Sequence, residues 1–211
     1  MKGFFITMEG PDGSGKSTQI SELKEYLNDK GYDVLLTREP GGTDIGEQIR
    51  KIILDVNNSH LSYMAETLLY AASRAQHVEE KIKPALEAGK VVICDRFIDS
   101  SLVYQGYARK LGIELVESIN QFALMGIQPD ITFFFDIKPE EAMDRKQNQK
   151  ALDRLEKENI SFHHLVYEGY KILLDRYPKR IRRIDASQSI DEVKSQILGE
   201  IDRFLKEEGL K

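Results

Sequence analysis

The sequence has little of several features that would point to particular classes of protein. Its 211 residues include a single cysteine, Cys94, so an internal disulfide is excluded and a reducing compartment is indicated. No apolar stretch approaches the ~20 residues that a membrane-spanning helix needs. The short apolar start lacks the small-residue cleavage pattern of a signal peptide. We therefore expect a cytoplasmic protein.

An excess of positive charge is also missing. Asp and Glu number 35 against 30 Lys and Arg, which gives a formal net charge of −5. Non-specific binding of nucleic acid by the whole surface is therefore not expected, and an anionic substrate would need its positive partners gathered locally. Hydrophobic residues make up 41% and charged residues 31%, which is typical of a globular chain. The length predicts a single domain over residues 1–211.

Five short apolar runs predict strands, and helical patterns separate them. Near-continuous apolar runs are typical of parallel strands that are covered on both faces. The predicted strands are Phe4–Glu9, Asp33–Arg38, Val91–Asp95, Ile131–Asp136 and Ile181–Asp185. The predicted helices are Lys16–Lys30, Asp44–Leu54, Leu61–Glu87, Glu114–Met125, Pro139–Arg145, Ile160–Arg176 and Ile190–Lys206. This alternation predicts an α/β fold with a five-stranded, doubly wound parallel sheet flanked by helices.

Every predicted strand finishes on a charged residue. These residues are Glu9, Arg38, Asp95, Asp136 and Asp185. The middle of a buried strand excludes unpaired charge, whereas the carboxyl ends of parallel strands open toward the crevice where ligands bind. Some of these charges would serve a ligand, and others would simply mark where burial stops.

A phosphate-binding motif follows the first predicted strand and opens an amphipathic helix. The segment from Gly10 to Ser17 matches G-x-x-x-x-G-K-[ST], in which glycines let backbone N–H groups approach phosphate oxygens. Lys16 would reach the β- and γ-phosphates, and the Ser17 hydroxyl would ligate Mg²⁺. The motif predicts binding of a nucleoside triphosphate, and by itself it leaves a kinase, a hydrolase and a switch open. The predicted donor-binding residues are Gly10, Pro11, Asp12, Gly13, Ser14, Gly15, Lys16, Ser17 and Thr18.

Residues at two strand ends favour transfer to a second phosphorylated molecule over hydrolysis. Arg38 lies in the turn Thr37–Thr43, which Pro40 and two glycines shape, and its guanidinium suits a phosphate dianion. Arg96 follows the third strand and would bridge the donor and acceptor phosphates. Asp95 lies beside it, where a second acidic group would hold the water shell of a metal ion.

Two further segments suggest how an acceptor would be read and enclosed. Tyr70 and Arg74 are four residues apart on a predicted helix and share a face. An aromatic ring beside a guanidinium would read a base by stacking and a hydrogen bond, although a core tyrosine with a surface-paired arginine gives the same pattern. The polar segment at about 144–158 is typical of a solvated helix. Next to a phosphate loop, it also fits a mobile lid that excludes water and delivers cations.

These residues together resemble the thymidylate kinase family, almost from end to end of the chain. The resemblance implies a P-loop nucleoside monophosphate kinase fold and a Mg²⁺-dependent homodimer. It also implies transfer of the γ-phosphoryl group of ATP to dTMP, which gives dTDP for dTTP synthesis. The most specific pieces are Thr37–Thr43, Asp95 with Arg96, Tyr70 with Arg74, and the run Leu152-Asp153-Arg154-Leu155-Glu156.

The resemblance implies roles for single residues. Arg38 and Arg96 would hold the acceptor phosphate, and Arg74 would bond O4 of thymine. Tyr70 would stack on thymine, where the family usually has phenylalanine. Arg145 would pack on the adenine of ATP. The implied dTMP-binding residues are Asp12, Arg38, Pro40, Tyr70, Arg74, Arg96, Ser101, Tyr104 and Gln105, and the implied metal-binding residues are Ser17 and Asp95.

One distinction within the family concerns the cation that assists transfer. Some members carry an arginine in the phosphate loop where this chain has Gly13. The chain therefore resembles the bacterial subtype in which lid residues supply that cation. Arg154 and Lys150 are the candidates, and they join Lys16 and Arg96 as the implied catalytic residues. A lysine such as Lys150 cannot make the bidentate grip of an arginine.

Two other functions stay open on the sequence. One is a different nucleoside or nucleotide kinase, against which Arg38 and Arg96 argue only by favouring a phosphorylated acceptor. The other is a P-loop switch that hydrolyses slowly and signals through partners, against which the polar lid argues. Acceptor-stimulated turnover discriminates among them.

Overall fold

The computed structural model describes residues 3–146 and 153–210. In these residues five parallel strands form one sheet in the order β2-β3-β1-β4-β5. The strands are β1 (Phe5–Glu9), β2 (Val34–Arg38), β3 (Val91–Asp95), β4 (Ile131–Asp136) and β5 (Ile181–Asp185). The prediction of a five-stranded parallel sheet is confirmed, with β1 and β2 each starting one residue later than expected.

The helices cover both faces of the sheet. They are α1 (Lys16–Asp29), α2 (Asp44–Leu54), α3 (Tyr63–His77), α4 (Lys83–Glu87), α5 (Ile98–Ser101), α6 (Ile113–Leu124), α7 (Pro139–Lys146), α8 (Ile160–Arg176) and α9 (Ile190–Glu207). One apolar core joins the sheet to α1, α7 and α9, and the other joins it to α4, α5, α6 and α8. None of the described helices combines the length and the apolar character that a membrane span needs.

Two stretches differ from the predicted helices. A π-helical turn, Val78–Ile82, separates α3 from α4, where the periodicity predicted one continuous helix. A second and longer π-helical segment, Leu102–Ala108, continues α5, and no helix was predicted there. The wider winding of a π-turn shifts side chains away from the 3.6-residue repeat, so the repeat does not reveal it.

Local side-chain caps explain where several helices begin. The hydroxyl of Thr43 accepts a hydrogen bond from the N–H of Gly46 at 3.0 Å, which starts α2 directly after the turn that carries Arg38. Ser189 and Glu192 form a reciprocal capping box at the start of α9. Such caps satisfy N–H groups that have no partner within the helix.

The charged strand ends meet at one edge of the sheet. Asp95 is level with Met8 of β1 on one side and with Arg38 of β2 on the other. The chain leaves β1 toward β2, and later crosses from β3 over β1 to β4. The carboxyl ends of β1 and β3 therefore flank the point where the connections diverge, which is where open α/β sheets bind their ligands.

Candidate active site

The loop between β1 and α1 has a backbone that only glycine accommodates easily. Gly15 has φ 91° and caps the start of α1. Gly10 has φ 140°, and a Cβ atom there would lie 2.9 Å from the carbonyl oxygen of Phe135. The loop is therefore pressed against β4, and glycines in this conformation let backbone N–H groups approach the oxygens of a phosphate. The same turn holds Pro11, Asp12 and Gly13, and Ser17 and Thr18 follow in the first turn of α1.

Lys16 lies inside this cradle. Its Nζ donates to the carbonyl oxygens of Gly10 and Pro11 at 3.0 and 2.9 Å, and burial together with the nearby Arg96 lowers its pKa. The hydroxyl of Ser14 is buried and has no hydrogen-bond partner among the described residues. A cation and an unmatched polar group at a helix N-terminus form a site for an anion.

Ser17 and Asp95 border the same cavity beside the phosphate loop. Oδ1 of Asp95 is buried and has no hydrogen-bond partner within the described residues, which suits an oxygen that faces the water shell of a cation. No group of three His, Cys, Asp or Glu side chains suited to a metal occurs in residues 3–146 and 153–210. Mg²⁺ needs none, because it is usually held by one or two protein oxygens together with nucleotide phosphates. The donor set therefore fits Mg²⁺ bound with a triphosphate.

A second cavity adjoins the phosphate loop and contains most of the residues that were predicted to bind the acceptor. Its walls come from the ends of β2 and β3, from α2, α3 and the π-helical segment after α5, and from residues 153–156. We call it the acceptor cavity. The predicted acceptor residues on its walls are Asp12, Arg38, Pro40, Tyr70, Arg74, Arg96, Tyr104 and Gln105. Ser101 lies behind Arg74 instead, whose NH2 donates to its hydroxyl at 3.1 Å.

Arg96 lies between the phosphate loop and the acceptor cavity. Its backbone adopts the left-handed conformation, with φ 67°. Its NH2 donates to Oδ1 of Asp12 at 3.1 Å, and its guanidinium lies 5.4 Å from the centre of the Tyr104 ring. The guanidinium therefore borders both regions in which phosphates would bind.

Arg38 and a second arginine flank one end of the acceptor cavity. Arg38 donates to Glu47 and to the carbonyl oxygen of Pro40, at 3.0 and 3.2 Å. Arg50, on α2, donates to the same carbonyl at 2.9 Å. Because Glu47 also accepts from the N–H of Gly42 at 2.9 Å, the turn that carries Arg38 is fixed to α2. Arg50 was not predicted, since a lone arginine on an amphipathic helix is typical of a solvated face.

Arg74 is held in a fully buried network. Its Nε donates to Glu39 at 2.8 Å, its NH2 donates to the carbonyl oxygen of Phe97 at 3.0 Å, and its NH1 donates to Asn120. Glu39 is shared with His77, whose Nδ1 lies 3.0 Å from Oε1 of Glu39. Arg74 therefore reaches the cavity as a rigid cation, which is how a base-reading group is best presented.

Tyr70 forms another part of the cavity wall. Burial and the nearby carboxylate of Glu66 raise the pKa of Tyr70, so its phenol stays neutral near pH 7. Gln105 lies close by and donates from Nε2 to Oε1 of Glu66 at 2.8 Å. The amide of Gln105 is thereby oriented by a buried carboxylate, which lies one helical turn before Tyr70 on α3.

Arg154 is bonded to residues on the acceptor side of the site. Its NH2 donates to Oε2 of Glu66 at 2.5 Å, and its Nε donates to the carbonyl oxygen of Ile53 at 2.8 Å. Asp153 accepts from the N–H groups of Leu155 and Glu156, both at 2.9 Å, which folds this segment into a tight turn. The structure thus brings Arg154 to the wall behind the acceptor cavity. Lys150 lies outside the described residues.

Arg145 lies near the end of α7. Its NH1 and NH2 donate to the carbonyl oxygens of Ala186 and Ser187 at 2.8 and 3.1 Å. These bonds fix the end of α7 against the turn that follows β5. Gln19 of α1 donates to the carbonyl oxygen of Ile190 at 2.9 Å, so the start of α9, which follows this turn, is bonded to the phosphate-loop helix.

Comparisons with known proteins agree on one family. The sequence profile described as "Thymidylate kinase" matches residues 8–197. A thymidylate kinase of Thermoanaerobacter sp. (strain X514) is 55% identical over 205 residues, which cover 97% of this chain and all of the relative. That of Bacillus licheniformis is 49% identical over 212 residues and covers both chains completely.

A solved structure gives the same result. The crystal structure of thymidylate kinase from Ehrlichia chaffeensis superposes with a TM-score of 0.78 at 33% sequence identity, and the match covers 95% of this chain and 99% of that one. Profile, sequence and structure thus agree over nearly the whole length of the protein. The chain belongs to the thymidylate kinase family.

Proposed function

We propose that the protein transfers the γ-phosphoryl group of ATP to dTMP, which yields ADP and dTDP for dTTP synthesis. The observation that carries this function is the position of Arg96, which borders both the phosphate loop and an acceptor cavity with further arginines. A hydrolase needs no such second basic cavity. Membership of the thymidylate kinase family supports dTMP as the acceptor and ATP as the donor. The reaction would take place in the cytoplasm, as the single thiol suggests.

Catalysis would rest on charge and position, because phosphoryl transfer needs little covalent help from a protein. Lys16 would contact the β- and γ-phosphates, and Arg96 would lie between donor and acceptor. Arg38 would hold the far side of the acceptor phosphate, assisted by Arg50. The acceptor phosphate is ionised near neutral pH, so no general base is required. These cations would offset the repulsion between two polyanions and the charge that spreads in the transition state.

The donor side supports a metal-assisted reaction. Ser17 and Asp95 would hold Mg²⁺, the first through its hydroxyl and the second through the water shell of the ion. When bound, the ion supplies charge neutralisation at the β- and γ-phosphate oxygens. The backbone N–H groups of the phosphate loop would orient the triphosphate, and Arg145 would face the adenine.

Recognition of dTMP would come from the walls of the acceptor cavity. Tyr70 would stack on thymine, while Arg74 and Gln105 would hydrogen-bond the edge of the base. Tyr104 would crowd the sugar and so favour deoxyribose. Asp12 would contact the 3′-hydroxyl or the metal shell, and Ser101 would act from behind by fixing Arg74.

The lid at about 144–158 would contribute differently at its two ends. The ion pair of Arg154 with Glu66 supports an anchoring role on the acceptor side, and a role in transfer would require that pair to open. Lys150 remains the other proposed lid cation. The whole chain, residues 1–211, would act as one P-loop kinase domain with this lid.

An apolar face supports a homodimer. Helix α3 packs against both α2 and α6, and large apolar side chains on these helices are exposed, among them Phe122 at 86% and Leu68 at 51%. Exposed apolar surface of this kind favours association. The other members of the face are Ile45, Ile52, Met64 and Leu115. Sedimentation of Phe122→Glu would test the dimer, with a shift to monomer expected.

An acceptor panel would test the reaction itself. ADP release is coupled to a spectroscopic readout with Mg²⁺-ATP and, in turn, dTMP, thymidine, AMP or no acceptor. We expect release only with dTMP among these. Equal release without acceptor would identify a hydrolase or switch, and a preference for thymidine would identify a nucleoside kinase.

A further inference from the structure

A hydrogen-bonded cluster supports Arg96 at the edge of the acceptor cavity, which only Ser100 of its members borders. It consists of Glu9 at the end of β1, Ser100 in α5 and Tyr170 in α8. Oε2 of Glu9 accepts from the hydroxyls of Ser100 at 2.6 Å and Tyr170 at 2.9 Å, and Oε1 accepts from the N–H of Phe97 at 2.7 Å. Glu9 and Tyr170 are almost completely buried, and neither borders the acceptor cavity.

The positions of the hydroxyl hydrogens in this cluster determine which lone pairs remain free to accept a hydrogen bond. A hydroxyl has one hydrogen to donate, and the ionised carboxylate of Glu9 accepts both of them. The lone pairs of both hydroxyl oxygens are then left for another donor. NH1 of Arg96 lies 3.3 Å from Oγ of Ser100 and 3.4 Å from the hydroxyl oxygen of Tyr170. The carboxylate thus prepares two acceptors for one edge of the guanidinium.

We propose that Glu9 and Tyr170 are positioning residues, which act through two oriented hydroxyls to hold Arg96 where the acceptor phosphate binds. The proposal rests on the function proposed above, in which Arg96 contacts that phosphate. A long arginine side chain loses rotamer freedom when it grips a ligand. A cluster that has already ordered the guanidinium removes part of this cost from the binding step.

Charged groups on every side of Glu9 set the conditions for a test. Asp99 of α5 and Arg96 act directly on the charge of Glu9, and Glu9 acts in turn on Lys16, which also feels the charges of Asp12 and Asp95. Burial, followed by the charge of Asp99, raises the pKa of Glu9 from 4.5 to about 7. Binding is therefore measured at about pH 8, where the carboxylate is ionised.

Tyr170→Phe removes the hydroxyl while keeping the ring that packs in the core. That ring stacks on Phe134 with its centre 4.9 Å away and the planes 17° apart, so the variant is expected to fold. Tyr177→Phe is the matched control. Tyr177 directly follows the same helix, and its hydroxyl donates to Glu117 at 3.0 Å. Neither Tyr177 nor Glu117 borders the acceptor cavity.

Titration calorimetry with dTMP and with thymidine separates positioning from general packing. Thymidine lacks the phosphate that Arg96 would hold. For Tyr170→Phe we expect dTMP to bind about three- to ten-fold more weakly, because part of the cost of ordering the Arg96 side chain returns to the binding step, while thymidine stays within about two-fold. Equal weakening of both ligands would mean that the hydroxyl only maintains the fold, and would overturn the proposal. Tyr177→Phe is expected to leave both affinities unchanged.

A double-mutant cycle identifies Arg96 as the residue through which Tyr170 acts. Asn tolerates the left-handed backbone at position 96, so Arg96→Asn removes the guanidinium without backbone strain. In that background Tyr170→Phe should not weaken dTMP further. A full loss in both backgrounds would contradict the proposal. If the wild type phosphorylates dTMP but Tyr170→Phe behaves like it, only the positioning role fails; if the wild type neither binds nor phosphorylates dTMP, the proposed function fails as well.

Discussion

Arg154 donates to Glu66 at 2.5 Å, and both side chains are nearly excluded from solvent, at 9% and 0% exposure. The pair joins the segment at residues 153–156 to α3, one helical turn before Tyr70. Glu66 also accepts from Gln105 and lies 3.6 Å from Nε of Arg109. One buried carboxylate therefore connects residues 153–156, α3 and the π-helical segment after α5.

Replacing Glu66 tests how much this connection stabilises the fold. Glu66→Gln leaves Arg154 buried without its counter-charge, and breaking a buried pair from one side costs about 3–5 kcal/mol. Urea denaturation would measure the loss in the free energy of unfolding. Glu114→Gln is the control, because its pair with Arg176 is exposed and such pairs contribute at most about 1 kcal/mol. Similar losses in both variants would contradict the central role of Glu66.

Lys16 is the most direct test of the phosphate loop. We expect Lys16→Ala to lower kcat by about 10²–10⁴-fold, as the loss of a preorganised electrostatic group does. Steady-state kinetics with saturating Mg²⁺-ATP and dTMP measure the change. Lys24→Ala, in the same helix, is the control and should behave like the wild type. Turnover near the wild-type rate in Lys16→Ala would refute the assignment.

Tyr70 allows the ring and its hydroxyl to be tested separately. Tyr70→Ala should weaken dTMP binding by about 1–3 kcal/mol, the range typical of base–aromatic stacking. Tyr70→Phe keeps the ring and should retain most of the affinity. Calorimetry with dTMP measures both variants, and ATP serves as the ligand that should be unaffected. A phenylalanine variant as weak as the alanine variant would show that the hydroxyl, and not the stack, binds the acceptor.

Glu9 should give the protein a distinctive dependence of stability on pH. Its pKa rises from 4.5 to about 7 in the folded state, so the folded protein binds more protons than the unfolded chain between these values. The contribution of Glu9 to stability is therefore present below pH 4.5 and is lost as the pH rises toward 7, by about 3 kcal/mol in total.

Glu9→Gln removes this titration. Urea denaturation of both proteins from about pH 4.5 to 7.5 should show the variant gaining stability relative to the wild type as the pH rises. Other titrating groups are shared and cancel in the difference. A difference that stays constant with pH would mean that Glu9 has an ordinary pKa in the folded state.

Much of the fold follows from local patterns in the sequence. The strands Val91–Asp95, Ile131–Asp136 and Ile181–Asp185 have the bounds that their apolar runs predicted. The phosphate loop could also be predicted from the sequence, because its glycines and Lys16 interact with backbone groups of the same loop. Helix α5 and its π-helical extension were missed because Gly106 and the winding of that segment hide any 3.6-residue repeat.

Residues that act through distant partners were harder to find. Arg50 reaches the acceptor cavity only because the carbonyl oxygen of Pro40 accepts its hydrogen bond, and no sequence spacing encodes that contact. The position of Arg154 depends on Glu66, which is 88 residues earlier in the chain. The resemblance implied a role for Arg154, whereas nothing in the sequence predicted Arg50, and the partner that each arginine contacts depends on tertiary packing.

The number of residues in the π-helical segment Leu102–Ala108 is itself a constraint on substrate selection. A π-helical turn contains one residue more than an α-helical turn, and each residue of a helix accounts for about 100° of rotation, so deleting a residue just before Tyr104 would move the residues within the segment to other positions around the helix. Tyr104 and Gln105 would then leave the cavity wall without any change in their identity. Natural variation in this stretch should therefore replace side chains while preserving the count, and a single-codon deletion should be more damaging than most substitutions.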